Sequence, residues 1–218
     1  MHPTHSPAAL PALPDSPAAT AALALVRERI SAPAAHHSIR SYLFAVLLAE
    51  RRGLAAAGEF DPELLFHACV LHDLGLSPDA PGAQRFEVEG ADRAAEFLTG
   101  LGYGAGAVDQ VWEAIALHAS PGLAERRGPL ALLTRAGIAA DLGLGTDPIT
   151  DAEGAAVHAR HPRLGVARDL VEGILRHAGR GPGAAPPFSI AAELARERAE
   201  SGGTLLERAE AKSRWAAY

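Results

Sequence analysis

The sequence predicts an all-α protein, a helical bundle, and three observations carry that expectation. Strand-forming residues are sparse while Ala, Leu, Glu and Arg abound in the 218 residues, a composition that favours helix over sheet. Apolar residues recur three and four positions apart rather than in alternation, so each segment offers one face to a core. Helix-start signals punctuate the chain at Ser16-Pro17, Ser31 to Pro33, Asp61-Pro62 and Pro129. In the first three a polar cap stands just before a proline whose missing N–H costs nothing there.

Taken in order, residues 1–15 are rich in Pro, Ala and Ser and are expected to be loose, with His2 and His5 in solvent. A first helix should end near Ile30, and a second should run from Ser31 to about Arg52 and stop at Gly53. On it His37, Arg40, Ser41, Phe44 and Leu48 share one face. Asp61 as cap, Pro62 and Glu63 start a third helix, Leu64 onward, that Gly75 should end. The loop from Ser77 to Gln84, dense in Pro, Asp and Gly, is a connector or a lid. Helices are then expected over Phe86–Thr99, Ala107–Ala119, Pro129–Leu142, Asp151–Arg160 and Leu164–His177. A linker, Gly179 to Pro187, precedes two amphipathic helices between Ser189 and Trp215. The expected organisation is a core over 16–179 with an appendage over 180–218 that packs on the core or on a second copy in a homo-oligomer.

Bulk properties narrow the function. The balance of 48% hydrophobic and 21% charged residues suits one substantial core. A net charge of −6 argues against nucleic acid as a partner. Lys212 is the only lysine, which leaves no phosphate-loop or Schiff-base lysine in the core. The single cysteine, Cys69, fits a reducing compartment and reads as a small apolar filler. No basic residue precedes the mild apolar run Ala18 to Val26, as a secretory signal requires, and no stretch approaches the ~20 residues of a membrane span. The expectation is a cytoplasmic protein with a small-molecule substrate and no membrane partner.

Several polar residues nevertheless fall on apolar faces. His72 follows Leu65, Ala68 and Cys69 by seven, four and three residues, and Asp73 is beside it at the helix end. Glu87 aligns with Gly90, Ala91, Ala94 and Leu98; His118 shares the face of Val111, Ala114 and Ile115; Asp141 closes the stripe of Leu130, Leu133, Thr134, Gly137 and Ile138. Singly, each has an ordinary explanation as a hydrogen-bonded core residue. Together, His37, His72, Asp73 and Asp141 supply two imidazoles and two carboxylates from three helices, a donor set suited to a divalent transition metal with room left for water.

The finer pattern comprises His37-Ser-Ile-Arg40-Ser-Tyr42, Leu71-His72-Asp73-Leu-Gly75, Phe86-Glu87-Val-Glu-Gly90, Glu113 to His118 and Asp141-Leu-Gly143. This series resembles the HD superfamily of metal-dependent hydrolases, and within it the cyanamide hydratase branch, over about Ala34 to Leu144. The resemblance implies an all-α HD-domain bundle with one divalent ion, zinc first and iron or manganese as alternatives, held by His37, His72, Asp73 and Asp141. It also implies a hydrolase or hydro-lyase that adds water to cyanamide or another nitrile-like or C–N compound.

In that reading Asp73 takes up the water proton and His118, with an ordinary pKa near ~6.5, moves a proton to the substrate nitrogen. Glu87 and Arg40 form a buried ion pair that orients His37, while Phe44 and Trp112 wall the cavity or simply pack. His36 lies outside the shell, and His67, His158, His161 and His177 match no motif position. Two departures stand out: Leu76 replaces a lysine found in many HD phosphohydrolases, and Leu142 replaces the Asn usual in cyanamide hydratases. The alternatives are a phosphohydrolase using Arg40 or Arg85 on a nucleotide or other phosphomonoester, and a non-catalytic metal-bearing binding protein.

Overall fold

The computed structural model describes residues 10–218. Among them lie eleven α-helices and two 3-10 turns, with no strand. The helices are α1 (Pro17–Arg29), α2 (Ala32–Arg51), α3 (Leu54–Ala57), α4 (Pro62–Leu71), α5 (Phe86–Gly100) and α6 (Ala105–Ala116). They continue with α7 (Pro129–Asp141), α8 (Asp151–Arg160), α9 (Val166–Ala178), α10 (Ile190–Ser201) and α11 (Leu205–Glu210). The start signals act as expected: Ser16, Ser31 and Asp61 each accept a backbone N–H of their own first turn. The expected looseness of the N-terminus, with His2 and His5, falls on residues 1–9 outside the described part, whereas Leu10 and Leu13 lie against the core.

The bundle is built around α2. Fourteen of its twenty residues are buried, so it is the axis on which α4 and α7 pack rather than a surface helix. The crossing with α7 is close because of Gly137: a Cβ there would stand 2.2 Å from Ser41 O and 2.7 Å from Ala45 Cβ. One turn later on α7, Asp141 is thereby carried to the face of α2 that holds His37 and Arg40.

Two helices end earlier than their sequence suggests. α4 stops at Leu71, with His72 as its cap, and Asp73 (φ −96°, ψ 11°) leads into a 3-10 turn over Leu74–Leu76. The bend fits under α5: a Cβ on Gly75 would meet Phe86 O at 2.0 Å, and one on Gly90 would meet His72 O at 2.8 Å. Likewise α6 stops at Ala116, and His118 N closes a turn onto Ile115 O. Both breaks fall at or just before a buried histidine that lines the interior cavity. α3, a short alanine-rich helix between Gly53 and Gly58, had no signal of its own beyond composition.

The Ser77–Gln84 segment is a pinned connector. The Glu89 carboxylate accepts the backbone N–H groups of Gly82, Ala83 and Gln84 at 3.1, 2.7 and 3.0 Å, and Arg180 donates to the carbonyls of Ser77, Pro78 and Ala80. At the other end of the chain, α10 and α11 pack on α9. Trp215 is buried, stacks on Phe44 with centroids 5.6 Å apart and donates to Ala140 O at 2.6 Å. No helix among the described residues is long and apolar enough to cross a membrane.

Candidate metal centre

His37 from α2 and the His72-Asp73 pair after α4 meet inside the bundle. One potential ligand atom from each lies within 4.8 Å of the other two, and all three residues are buried. His72 Nδ1 is 2.8 Å from Cys69 O. A carbonyl only accepts, so Nδ1 carries a proton and Nε2 is the atom left to meet a cation. That Nε2 stands 3.2 Å from Asp73 Oδ2, outside hydrogen-bond geometry, and Oδ2 is buried with no hydrogen-bond partner. A buried imidazole nitrogen and a carboxylate oxygen facing each other at that distance are stabilised by a cation shared between them, either a proton or a metal ion. Burial alone would lower the His72 imidazole and raise the Asp73 carboxyl. The attraction between them prevails in both, so His72 is raised and Asp73 is held down at about 2, with His37 and His118 assisting.

Asp141 stands behind His37. Its Oδ2 accepts His37 Nδ1–H at 2.6 Å, and Arg40 clamps both oxygens, Nε on Oδ1 at 2.6 Å and Nη2 on Oδ2 at 2.8 Å. Arg40 Nη1 is spent on the carbonyls of His161 and Pro162, and Arg163 donates to Asp141 O at 2.7 Å. Full burial would raise the Asp141 carboxyl, but Arg40 and His37 hold it far below the carboxylate range. Asp141 therefore lies outside the three-residue cluster and fixes the tautomer of His37, leaving Nε2 as that ring's basic atom.

The expected Arg40–Glu87 pair is not formed. His37 and Arg40, three residues apart, share a helix face, and that face is covered by α7, so Asp141 takes the guanidinium. Glu87, fully buried on α5, instead accepts Arg85 Nη2 at 2.5 Å. Of the two arginines that a phosphohydrolase reading assigned to phosphate, Arg40 is thus fully engaged, while Arg85, one-third exposed, is tied to Glu87 through one nitrogen.

The family model of the HD domain matches residues 34–153, which spans all four motif residues and more than half the chain. The chain belongs to the HD-domain family. Members are mostly metal-dependent hydrolases, and the buried His37, His72 and Asp73 cluster is suited to a divalent ion on the evidence of its orphaned oxygen and its fixed imidazoles. No curated protein matches the chain.

The HD cluster opens onto a cavity of about 230 Å³ whose polar end is His37, His72, Asp73 and His118. Apart from Arg135 its remaining wall is apolar, with Phe86, Ile138, Leu142, Leu170, Ile174 and Leu206 prominent. Arg40, Glu87 and Asp141 do not line it, and neither do Phe44, stacked on Trp215, and Trp112, whose Nε1 donates to Asp92. A larger concavity of about 310 Å³ near Ser31 and Asp169 holds none of the candidate donors, so chemistry rather than volume picks the site. Nothing in the sequence marks Phe86, Leu170, Ile174 or Leu206 as wall residues, because each is an ordinary apolar position on its helix.

His118 differs from its expected state. Its Nδ1 is 2.7 Å from Ile115 O and its ring centroid is 4.9 Å from that of His72. Burial, and then the neighbouring His72, push it down to about 4 rather than ~6.5. At neutral pH it is uncharged, with Nε2 as the basic atom. The remaining histidines sit elsewhere: His36 packs on His161, His67 meets the Tyr103 hydroxyl at 3.0 Å, His177 meets Gln84 O, and His158 Nδ1 meets Gly154 O.

Proposed function

We propose that this HD protein is a hydratase or hydrolase that adds water to a small nitrile-like or C–N substrate, as cyanamide hydratases do. The observation that carries this reading is the cluster of His37, His72 and Asp73, with both imidazoles fixed through their Nδ1 atoms and the unpartnered Asp73 Oδ2 at the polar end of the cavity. A divalent ion bound there, zinc first among the candidates, would supply Lewis acidity that brings the pKa of water toward ~7.

This chain's residues then manage position and protons. Water oxygen bonds to the electrophilic carbon, the two C–N π bonds give way in turn to the new C–O bond and its C=O π bond, and both water protons end on nitrogen, giving an amide or, from cyanamide, urea. The Asp73 carboxylate accepts the first proton and passes it on to the substrate nitrogen. His118, neutral at pH 7 and adjacent to His72, accepts a proton at Nε2 and returns it to the substrate nitrogen. The change from ~6.5 to about 4 makes it a proton acceptor that holds its charge briefly. Arg40 and Asp141 keep His37 in place without touching substrate. A cytoplasmic setting and a homo-oligomer remain part of this proposal.

The test combines elemental analysis of purified protein with cyanamide-to-urea conversion by the same sample. The expected result is stoichiometric divalent metal with turnover, and a loss of about 10²–10⁴ in kcat for Asp73→Asn with helicity retained. Bound metal without turnover on cyanamide or other nitriles would leave the family membership and remove the reaction.

A further inference from the structure

The cavity is too large and too apolar for cyanamide alone. The donors come from the stretch matched by the HD domain, 34–153, but a major part of the opposite wall does not: Leu170 and Ile174 are on α9, Ile190 opens α10 and Leu206 is on α11. Beyond the His-Asp cluster one charged side chain, Arg135, reaches the lining. It is already engaged by Glu125 at 2.7 Å and directed at His118 O at 3.4 Å. A charged substituent on the substrate would thus lie among Leu and Ile side chains with Arg135, already shared with Glu125, as its one counter-charge, at a cost of several kcal/mol wherever it sits out of that residue's reach. As to size, an apolar cavity of ~150 Å³ holds benzene, so about 230 Å³ accommodates a substituted ring or a chain of similar bulk.

We infer that α9, α10 and α11 form the specificity wall of this enzyme, and that it selects an uncharged substrate whose C–N head meets the His-Asp cluster and whose body is an apolar group of about six to eight carbons. This rests on the proposed reaction for the identity of the head group only; the size and apolarity of the body follow from the wall. Each methylene that enters the cavity should tighten binding about fourfold.

The test measures Kd by calorimetry on the metal-loaded full chain for straight-chain nitriles from acetonitrile to octanenitrile, for the matching amides, and for benzonitrile beside 4-cyanobenzoate. The inference expects Kd to fall about fourfold per carbon until the cavity is full, and 4-cyanobenzoate to bind at least about 100-fold more weakly than benzonitrile. Leu206→Trp, at a partly exposed wall position, should lower the preference for octanenitrile over acetonitrile at least tenfold. Ile190→Trp serves the same purpose should the first variant lose its helicity. A Kd independent of chain length, equal binding of the carboxylate, or no binding of any member would overturn the inference. Length-dependent binding without hydration would instead remove the proposed reaction and leave the wall's role standing, while turnover of cyanamide with flat Kd values would do the reverse.

Discussion

Asp141 shows how a single buried residue is defined by its partners. Its carboxylate takes three charge-assisted or imidazole hydrogen bonds, from Arg40 twice and from His37, and none reaches the cavity. Replacement by Asn keeps the shape but removes the charge that holds Arg40 and the tautomer of His37. We expect Asp141→Asn to weaken metal affinity about 10–100-fold, the range for groups that orient a ligand. It should also cost about 3–5 kcal/mol of stability because Arg40 is left buried without a counter-charge. Chelator competition and urea unfolding measure the two effects; complete loss of metal would identify Asp141 as a direct ligand. The residue types of this site were legible in the sequence, since imidazoles and carboxylates on apolar faces need an explanation. The pairing was not: nothing local tells Arg40 to prefer Asp141 over Glu87, because that choice depends on which helix lies across its face.

At the scale of elements, close helix contact decides where the side chains go. Ala normally favours a helix over Gly by about 0.5–1 kcal/mol, yet at Gly137 the new methyl would face a backbone carbonyl and a packed alanine, neither of which can yield. Overpacking of this kind costs about 1–3 kcal/mol or more, so Gly137→Ala should be destabilising overall. Gly106, exposed on α6 with nothing near its Cβ position, gives the opposite expectation: Gly106→Ala should stabilise by about 0.5–1 kcal/mol. Urea midpoints of the two variants check both signs, and stabilisation by Gly137→Ala would show that the α2–α7 contact is looser than it stands here. Capping and periodicity disclosed most helix starts, but the early end of α4 goes with α5 closing on the His-Asp turn, a tertiary effect, while that of α6 goes with a local turn from His118 N to Ile115 O.

For the whole molecule the titrating histidines set the response to acid. His161 is 8% exposed and neither ring nitrogen has a partner. Burial first, then His36 and Arg160, push it down to about 4, and burial does the same to His158. Between ~6.5, the unfolded value, and about 4 the unfolded chain binds protons that the folded chain refuses, so stability should fall as the pH drops through that window. His161→Leu should flatten this slope by up to one proton. Urea unfolding at pH 7 and pH 4.5, with a chelator present so that metal release makes no contribution, measures it; an unchanged slope would mean that His161 is protonated in the folded state or solvated.

The sequence by itself determined the helical class, most of the helix starts and the placing of His and Asp side chains on apolar faces, because caps, hydrophobic period and residue chemistry act over a few neighbouring positions. Only the tertiary structure decided that Asp141 serves Arg40 and His37, that His118 is neutral, and that residues from α9 to α11 wall a cavity built on donors far upstream. Those outcomes depend on which helices cross and how much water they exclude, and neither is encoded within any one stretch of chain.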